Sequence, residues 1–185
     1  MTHTIEALDR LMSDFLATCD QNHYPLTPYD PEWPSPCYRH TADPGDPVSW
    51  QPVRMETEND MFIRLSAALE EPLHPDLVSY YSRYWSDPVP CALPDGTEVS
   101  LLFAWNADDM ERLRANLIGH ALSKRKLKRD LTLFFGTLEP DTNEMITLHN
   151  RDGSIWLEQP GKAPHTRLAN NLADFLDQLT PEPGI

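Results

Sequence analysis

Cys37 and His40 form a close pair of residues of the types that bind metals or catalyse reactions. A structural zinc site needs three or four converging ligands, and no second Cys/His pair follows nearby. The spacing therefore does not predict a metal site. We expect Cys37 to be a buried thiol and His40 to be a surface residue.

A thiol nucleophile would also need a base, and Cys37 or Cys91 could meet His120 or His149 in the folded chain. Local sequence does not favour this, because the chain has no nucleophile elbow and no glycine-rich loop before a helix. It holds only 7 glycines, and no pair stands out as buried among its 29 Asp and Glu. We therefore expect a non-enzymatic protein without a cofactor. A small cytosolic hydrolase that uses Cys37 or a carboxylate pair remains an alternative.

The acidic charge is concentrated in the first part of the chain. Residues 1–111 hold 20 Asp or Glu against 5 Arg and no Lys, whereas residues 112–185 hold 9 acidic against 10 basic residues. A surface with this bias repels phosphate backbones and anionic lipid heads, and it attracts Lys/Arg-rich surfaces. The charge pattern predicts a basic protein partner and argues against nucleic-acid binding and direct lipid binding.

A basic run is the exception to this pattern, and it ends a predicted helix. Cations at a helix C-terminus interact favourably with its dipole, which is the simplest reason for the run. Gly119 in the same helix predicts close packing on the sheet, and His120 is expected to be a hydrogen-bonded packing residue. The run consists of Lys124, Arg125, Lys126, Lys128 and Arg129.

Acidic residues surround Trp50 in the sequence. A tryptophan at the floor or rim of an acidic surface would suit Arg and Lys side chains of a partner. We add the two aspartates at the start of the long fourth helix and infer that they belong to the same surface. The predicted contact residues are Trp50, Glu56, Glu58, Asp108 and Asp109.

The elements that must position these residues follow from hydrophobic periodicity and turn residues. We predict one α+β domain over residues 1–185, in which a mainly antiparallel sheet has helices on one face and a proline-rich extended segment spans residues 25–52. Helices are predicted from Ile5 to Cys19, from a Thr57–Asp60 cap through Met61 to Leu69, from Pro75 onward, from Asn106 onward and from Leu168 to Leu179. Strands are predicted at Cys91–Leu93, Val99–Trp105, Leu131–Leu138, Met145–His149 and Ile155–Leu157, with turns at Asp95-Gly96, Pro140-Asp141 and Asp152-Gly153.

The chain lacks both an apolar run of about 20 residues and a basic-then-apolar N-terminal signal pattern. Its three cysteines are widely spaced and odd in number, as in a protein with reduced thiols. We therefore expect a cytosolic protein.

Several segments resemble the Syd family of SecY-interacting proteins, in the same order and spacing from about Thr4 to Leu179. The most specific are the helix around Asn116–His120 and the last predicted helix. The segments are Pro34-Ser35-Pro36-Cys37, Trp50-Gln51-Pro52, Asn116-Leu117-Ile118-Gly119-His120 through Lys126-Leu127-Lys128, Thr132-Leu133-Phe134 to Thr137-Leu138-Glu139, and Leu168 through Leu176.

The resemblance implies a fold like that of the SUKH superfamily and an acidic concave surface that engages the basic cytosolic loops of SecY. It also implies a role in checking or regulating SecY assembly, without a cofactor or reaction. The charge argument agrees, because cytoplasmic loops of membrane proteins are rich in Lys and Arg. An acidic domain is repelled by the anionic leaflet, so membrane association must come through a protein.

These observations together predict a monomeric SecY-binding protein on the cytoplasmic side of the inner membrane. The alternative among binding proteins is an immunity protein that neutralises a basic nuclease toxin, a role that the SUKH resemblance also allows.

Overall fold

A computed structural model describes residues 2–139 and 142–183 of the chain. In this part, five helices and eleven strands build an α+β domain, which confirms the predicted class. The helices are α1 (Thr2–Gln21), α2 (Met61–Leu69), α3 (Pro75–Tyr81), α4 (Ala107–Lys126) and α5 (Leu172–Asp177). The strands are β1 (Leu26–Pro28), β2 (Pro47–Ser49), β3 (Val53–Arg54), β4 (Tyr84–Trp85), β5 (Val89–Ala92), β6 (Glu98–Leu101), β7 (Thr132–Leu138), β8 (Met145–His149), β9 (Ile155–Glu158), β10 (Thr166–Ala169) and β11 (Thr180–Pro181).

Seven of the described strands form the large sheet, in the order β10-β9-β8-β7-β6-β5-β11 with every neighbouring pair antiparallel. The predicted hairpin turn at Asp95-Gly96 is present, with Gly96 at a φ of 88°. The turn at Asp152-Gly153 is present too, and a Cβ on Gly153 would lie 2.6 Å from Nε2 of His74. The predicted turn at Pro140-Asp141 lies outside the described residues.

The large sheet ends on two short strands. On one side β11 has two residues and pairs with β5 through Thr180 and Pro181. On the other side β10 pairs with β9, and its register shifts between Arg167 and Ala169. Neither of these strands was predicted. The segment that forms β11 is too short to show alternation, and Leu168 on β10 was predicted to belong to the last helix, which begins only at Leu172 after the Asn171 cap.

Helices lie against both faces of the large sheet, which corrects the expectation that they cover one face. Successive side chains of a strand point to opposite faces. On β7, the Phe135 ring contacts Tyr80 of α3 and Phe175 of α5, at centroid distances of 5.3 and 5.7 Å. The neighbouring Phe134 ring contacts His120 of α4 at 5.5 Å. Thus α4 packs on the face opposite to α3 and α5.

The first helix follows its hydrophobic period, since one stripe of α1 is buried and packs on α3, α5 and β11. The proline-rich segment follows it as a series of turns and bends, within which β1 and β2 pair. Phe15 lies in the buried stripe and stacks on Trp50, with the ring centroids 6.0 Å apart. The first helix thus joins the proline-rich segment to the core.

A buried polar cluster connects α4 to the large sheet. The Lys124 ammonium pairs with the carboxylate of Glu158 on β9, and the two residues are 4% and 0% exposed. Thr132 on β7 donates its hydroxyl hydrogen bond to Glu158, and Nε2 of His120 lies 3.0 Å from the Thr132 oxygen. Lys124 is therefore a core residue, so the expectation that the whole basic run caps the helix surface is wrong for it.

Gly119 does not mark close packing. It is exposed, and a Cβ built there would meet no heavy atom within 4 Å. The neighbouring expectation for His120 is confirmed, because its ring is held by the Thr132 hydroxyl and by contact with Phe134.

Candidate functional site

The predicted acidic contact residues lie on two elements, the loop 55–60 after β3 and the first turn of α4. Trp85 brings these elements together, because it pairs with Val53 on one side and forms a bridge with Ala104 on the other. The residue shortly before the loop, Val53, and the residue shortly before α4, Ala104, therefore both pair with Trp85.

The start of α4 is fixed by side chains that satisfy backbone groups. The Asn106 side chain accepts a hydrogen bond from the backbone N–H of Asp109 at 2.8 Å, and the Trp105 N–H donates to Oδ2 of Asp109 at 2.8 Å. This reciprocal arrangement caps the helix as its sequence predicted. Asn106 also donates to the carbonyl of Pro34 at 2.9 Å, which attaches the cap to the proline-rich segment.

Asp109 is thus a structural residue as much as a surface carboxylate. One of its oxygens is used by the cap, its side chain is 27% exposed, and Oδ1 lies 3.8 Å from Nη1 of Arg112. A substitution here would weaken α4 as well as any contact with a partner.

Arg64 ties the loop to α4. Its guanidinium bonds Asp60 at the end of the loop, at 3.1 Å, and pairs with Glu111 in α4. Hydrogen bonds from Arg64 and from Arg114 lower the pKa of Glu111 to about 2. The charges of Asp60 and Glu111 are therefore already matched by arginines of the same chain.

Three predicted contact residues are left unmatched. Glu56, Glu58 and Asp108 are exposed, and among the described residues none of them has an ion-pair partner. We call Glu56, Glu58, Asp108 and Asp109, together with Asp87 described next, the acidic face.

Asp87 belongs to this face and was missed in the sequence. Burial raises the pKa of its carboxyl, and the nearby negative charge of Asp109 raises it further. Because Asp87 and Asp109 are 22 positions apart in the sequence, only the pairing of β4 with the segment before α4 reveals their proximity.

The raised pKa of Asp87 predicts how the stability of the fold depends on pH. Its pKa in the folded state lies above the ordinary value of 3.8, so the folded state loses stability as the pH rises through 3.8, and the loss is complete once the pH exceeds the raised pKa. Asp87→Asn should therefore raise the unfolding temperature at pH 7, and the two proteins should converge as the pH falls below 3.8. Thermal denaturation followed by circular dichroism at several pH values measures this, with Asp46→Asn on the exposed surface as the matched control. A lower unfolding temperature for Asp87→Asn at pH 7 would show that the carboxylate stabilises the fold.

Trp50 lies in the core and not on the partner surface. It is 3% exposed, and its ring contacts those of Phe15 and Trp105 at 6.0 and 6.1 Å. The expectation that Trp50 touches a partner is therefore not met in this structure. Trp50 packs against Trp105, and the backbone N–H of Trp105 donates a hydrogen bond to Asp109. Trp50 therefore supports the acidic face from within the core.

An acidic concavity, which the sequence did not indicate, opens beside β5 and β6. It has a volume of about 570 Å³ and is lined by Glu98, Glu139 and Glu182 around an apolar floor that includes Val99. The Glu139 N–H donates to the Glu98 carbonyl at 3.0 Å, and the Glu182 N–H donates to the Pro90 carbonyl at 2.8 Å. Sheet register alone assembles this site, so no local sequence signal could have found it.

The candidate catalytic thiols are not activated. Cys37 is fully buried, and burial raises its pKa to about 11. Burial raises the pKa of Cys91 to about 12, and the charge of Glu182 acts in the same direction. A nucleophilic thiol has a lowered pKa, so both cysteines fit buried packing residues. Among residues 2–139 and 142–183, no group of three or more His, Cys, Asp or Glu side chains gathers where it could hold a metal ion.

In the same residues, no helix combines the length and the hydrophobicity that a bilayer crossing requires.

The comparisons with known proteins agree with the resemblance found in the sequence. A family model described as Syd protein (SUKH-2) matches residues 5–181. Protein Syd of Pseudoalteromonas atlantica is 39% identical over 185 residues, which cover 98% of this chain and 98% of that protein. Protein Syd of Alteromonas mediterranea is 40% identical over 182 residues, with 98% of each chain covered, and Protein Syd of Colwellia psychrerythraea is 38% identical over 194 residues.

The matched region takes in the extended segment, the large sheet and all five described helices from Ile5 onward. A match of this extent and identity is well beyond a shared motif. The chain belongs to the Syd family.

Proposed function

We propose that this protein binds the basic cytosolic loops of SecY through its acidic face, acts without catalysis, and helps to check or regulate SecY assembly. It does so as a monomer on the cytoplasmic side of the inner membrane, where SecY holds it. The partner follows from the Syd resemblance, and the acidic face supplies a physical means of recognition.

The observation that carries the proposal is the set of unmatched carboxylates at Glu56, Glu58 and Asp108. A partner lysine or arginine can pair with each of them without first displacing an internal arginine. The neighbouring Asp60 and Glu111 are different, because Arg64 already occupies them. Exposed pairs contribute little singly, so several carboxylates on adjacent elements are needed for a useful effect.

The environment of Asp87 supports the same conclusion. Burial is the main cause of the raised pKa of its carboxyl, and repulsion by the negative charge of Asp109 raises that pKa further. A cation brought by the partner would offset that repulsion. Binding and the relief of an unfavourable charge pair therefore act in the same direction.

The total charge of −14 extends this effect beyond contact distance. Complementary potentials steer a basic loop toward the surface and raise the association rate. The same field repels anionic phospholipids, which supports membrane attachment through SecY and not through lipid.

Catalysis is not part of the proposal. The raised pKa values of Cys37 and Cys91 oppose thiolate chemistry, and Cys37 has no exposed surface. The hydrolase alternative would require an accessible nucleophile beside a base.

Charge reversal tests the proposal. The triple variant Glu56→Lys, Glu58→Lys and Asp108→Lys should reduce co-sedimentation with SecY-containing inner-membrane vesicles at low salt by at least about tenfold, because attraction becomes repulsion. The unfolding temperature should change little, since these side chains are exposed. Asp109 is left intact because its reversal would damage the α4 cap.

The matched control changes the same amount of charge at the acidic concavity beside β5 and β6, with Glu98→Lys, Glu139→Lys and Glu182→Lys. This variant should keep most of the binding. If it loses binding and the first variant keeps it, the acidic face is the wrong surface. Vesicles without SecY should bind none of these proteins.

A further inference from the structure

An apolar groove lies between α2 and α3. Its volume is about 660 Å³, and its walls include Ile63, Ala67, Leu73 and Val78. On α2, Arg64 pairs with Glu111 of α4, and Arg125 of α4 donates to the carbonyl of Leu69 at the helix end. Ile63 and Ala67 are exposed, so the apolar wall that α2 gives to the groove is open to solvent.

Ile63 stands at this groove with 74% of its surface exposed, more than any other large hydrophobic residue that is described as exposed. A single exposed isoleucine is ordinary. Here it adjoins other apolar side chains in a concave setting, which is the form that anchors in protein interfaces use.

Acidic residues stand at both ends of α2. Asp60 directly precedes the helix, three positions before Ile63, and Glu70 and Glu71 line the groove where the helix ends. Glu71 lies 3.6 Å from Arg125, whereas Glu70 is exposed and has no ion-pair partner within the described chain.

Glu70 also occupies a position where glycine is the favoured residue. It follows the last residue of α2 with a φ of 53°. Its N–H donates to the Ala67 carbonyl and the Glu71 N–H donates to the Ser66 carbonyl, at 3.3 and 3.2 Å, which is the Schellman arrangement. A glutamate in this left-handed conformation is strained. The chain thus keeps a carboxylate at the groove although glycine would suit the backbone better.

We infer that this groove binds an apolar side chain from the same basic partner segment that the acidic face attracts. The inference rests on the proposed function and deepens it, since it extends the docking surface along α2. The occupant is a segment with a large apolar residue between Lys or Arg residues. Its cations meet Asp60 at one end and Glu70 at the other, and charge complementarity selects it. Arg64 bonds Oδ1 of Asp60, but the Asp60 side chain stays 71% exposed, so a partner cation can still reach it.

The length of α2 sets the spacing in that segment. From position 60 to position 70 a helix rises about 15 Å, at about 1.5 Å per residue. An extended peptide covers this distance in between four and five residues. The recognised pattern is therefore two cations about five positions apart with the apolar residue between them.

The two parts of the surface have different kinetic signatures. Long-range charge acts mainly on association, whereas close apolar contact acts mainly on dissociation. Ile63→Ser should raise the dissociation rate from SecY-containing vesicles by about tenfold, with little change in the association rate. The triple reversal of the acidic face should lower the association rate instead.

The test compares Ile63→Ser with Leu26→Ser, the same kind of change at a leucine that is 65% exposed on β1. Surface plasmon resonance on captured SecY vesicles gives both rates, and thermal denaturation verifies that each variant is folded. The expected result is faster dissociation for Ile63→Ser only. A folded Ile63→Ser variant that dissociates like the parent would overturn the groove, while leaving binding by the acidic face intact.

A second readout does not depend on SecY. Two synthetic peptides carry lysines five positions apart, with leucine or serine between them. The full chain should prefer the leucine peptide by about tenfold, and Ile63→Ser should lose that preference. Equal binding of both peptides would overturn the inference. Absence of binding to SecY vesicles with a retained peptide preference would contradict the proposed partner and not the groove.

Glu70→Gly separates binding from stability. The unfolding temperature should stay the same or rise, because glycine relieves the left-handed conformation, yet both peptides should bind more weakly. Unchanged peptide affinity would remove Glu70 from the surface and overturn the proposed pattern. If sedimentation instead reveals a dimer that Ile63→Ser dissociates, the groove belongs to a second copy of this chain and the inference is wrong.

Discussion

Lys124→Met should lower the free energy of unfolding by about 3–5 kcal/mol, a cost typical of leaving one member of a buried ion pair alone. Lys124 and Glu158 are 4% and 0% exposed, so water cannot solvate the remaining carboxylate. Thr132 would still donate to Glu158, but one hydroxyl does not replace an ammonium. Urea denaturation at pH 7 measures the loss.

A double-mutant cycle separates the pair from its surroundings. Glu158→Gln together with Lys124→Met removes both charges and keeps an acceptor for the Thr132 hydroxyl. We expect the double variant to recover at least about 2 kcal/mol relative to the sum of the single variants, because no unpaired buried charge is left. Lys126→Met, on the exposed surface of the same helix, is the matched control and should change stability by less than about 0.5 kcal/mol. Additive effects of the two core substitutions would mean that the groups do not stabilise each other.

Raising the salt concentration from 0.05 to 0.5 M should slow association with SecY-containing vesicles by a factor of about 10 to 100. The Debye length falls below about 5 Å over this range, so charges on the acidic face no longer act at a distance. Stopped-flow or surface plasmon measurements of the association rate test this. The triple charge-reversal variant should show a much flatter salt dependence.

The dissociation rate provides the internal control for this experiment. Contacts in the groove at Ile63 are apolar, so they should survive high salt better than ion pairs do. An association rate that does not respond to salt would contradict electrostatic steering, even if the complex itself is stable.

Local sequence signals predicted the elements that depend on nearby residues. Asn106 and Asp109 are three positions apart, and their cap lies at the predicted start of α4. β8 has its predicted bounds, because apolar residues alternate between two turns. α2 also ends before Pro72 as predicted, although it begins at Met61 and not at the Thr57–Asp60 cap that the sequence indicated. In each case, the deciding interactions lie within a few positions of each other.

Features that depend on distant contacts were not predicted. Lys124 looked like its cationic neighbours, and only the approach of β9 identifies it as a core residue. Trp50 looked like a surface aromatic among acids, yet Phe15 and Trp105 enclose it. Asp87 has no distinguishing sequence context at all. Burial and charge coupling are set by strand pairing across the chain, which sequence periodicity does not encode.

Of the five predicted contact residues, the structure leaves Glu56, Glu58 and Asp108 as exposed, unmatched carboxylates. Counting acidic residues along the sequence could identify them, because acidic side chains are mostly exposed in folded proteins. The same counting could not separate them from Asp109. The role of Asp109 in the helix cap is visible only in the structure, where the Trp105 backbone N–H donates to its carboxylate.

The short margins of the large sheet limit how a partner can be recognised. Many adaptor domains capture an extended peptide by adding it as a further strand, which needs a row of free backbone groups. Here one margin is the two-residue β11, which includes Pro181 and so lacks one N–H, and the other is the irregular β10. Neither offers a template for strand addition, and both discourage self-association into fibrils. Selectivity for a bound segment must then depend on its side chains, so unrelated sequences with the same spacing of charged and apolar residues should compete for the surface.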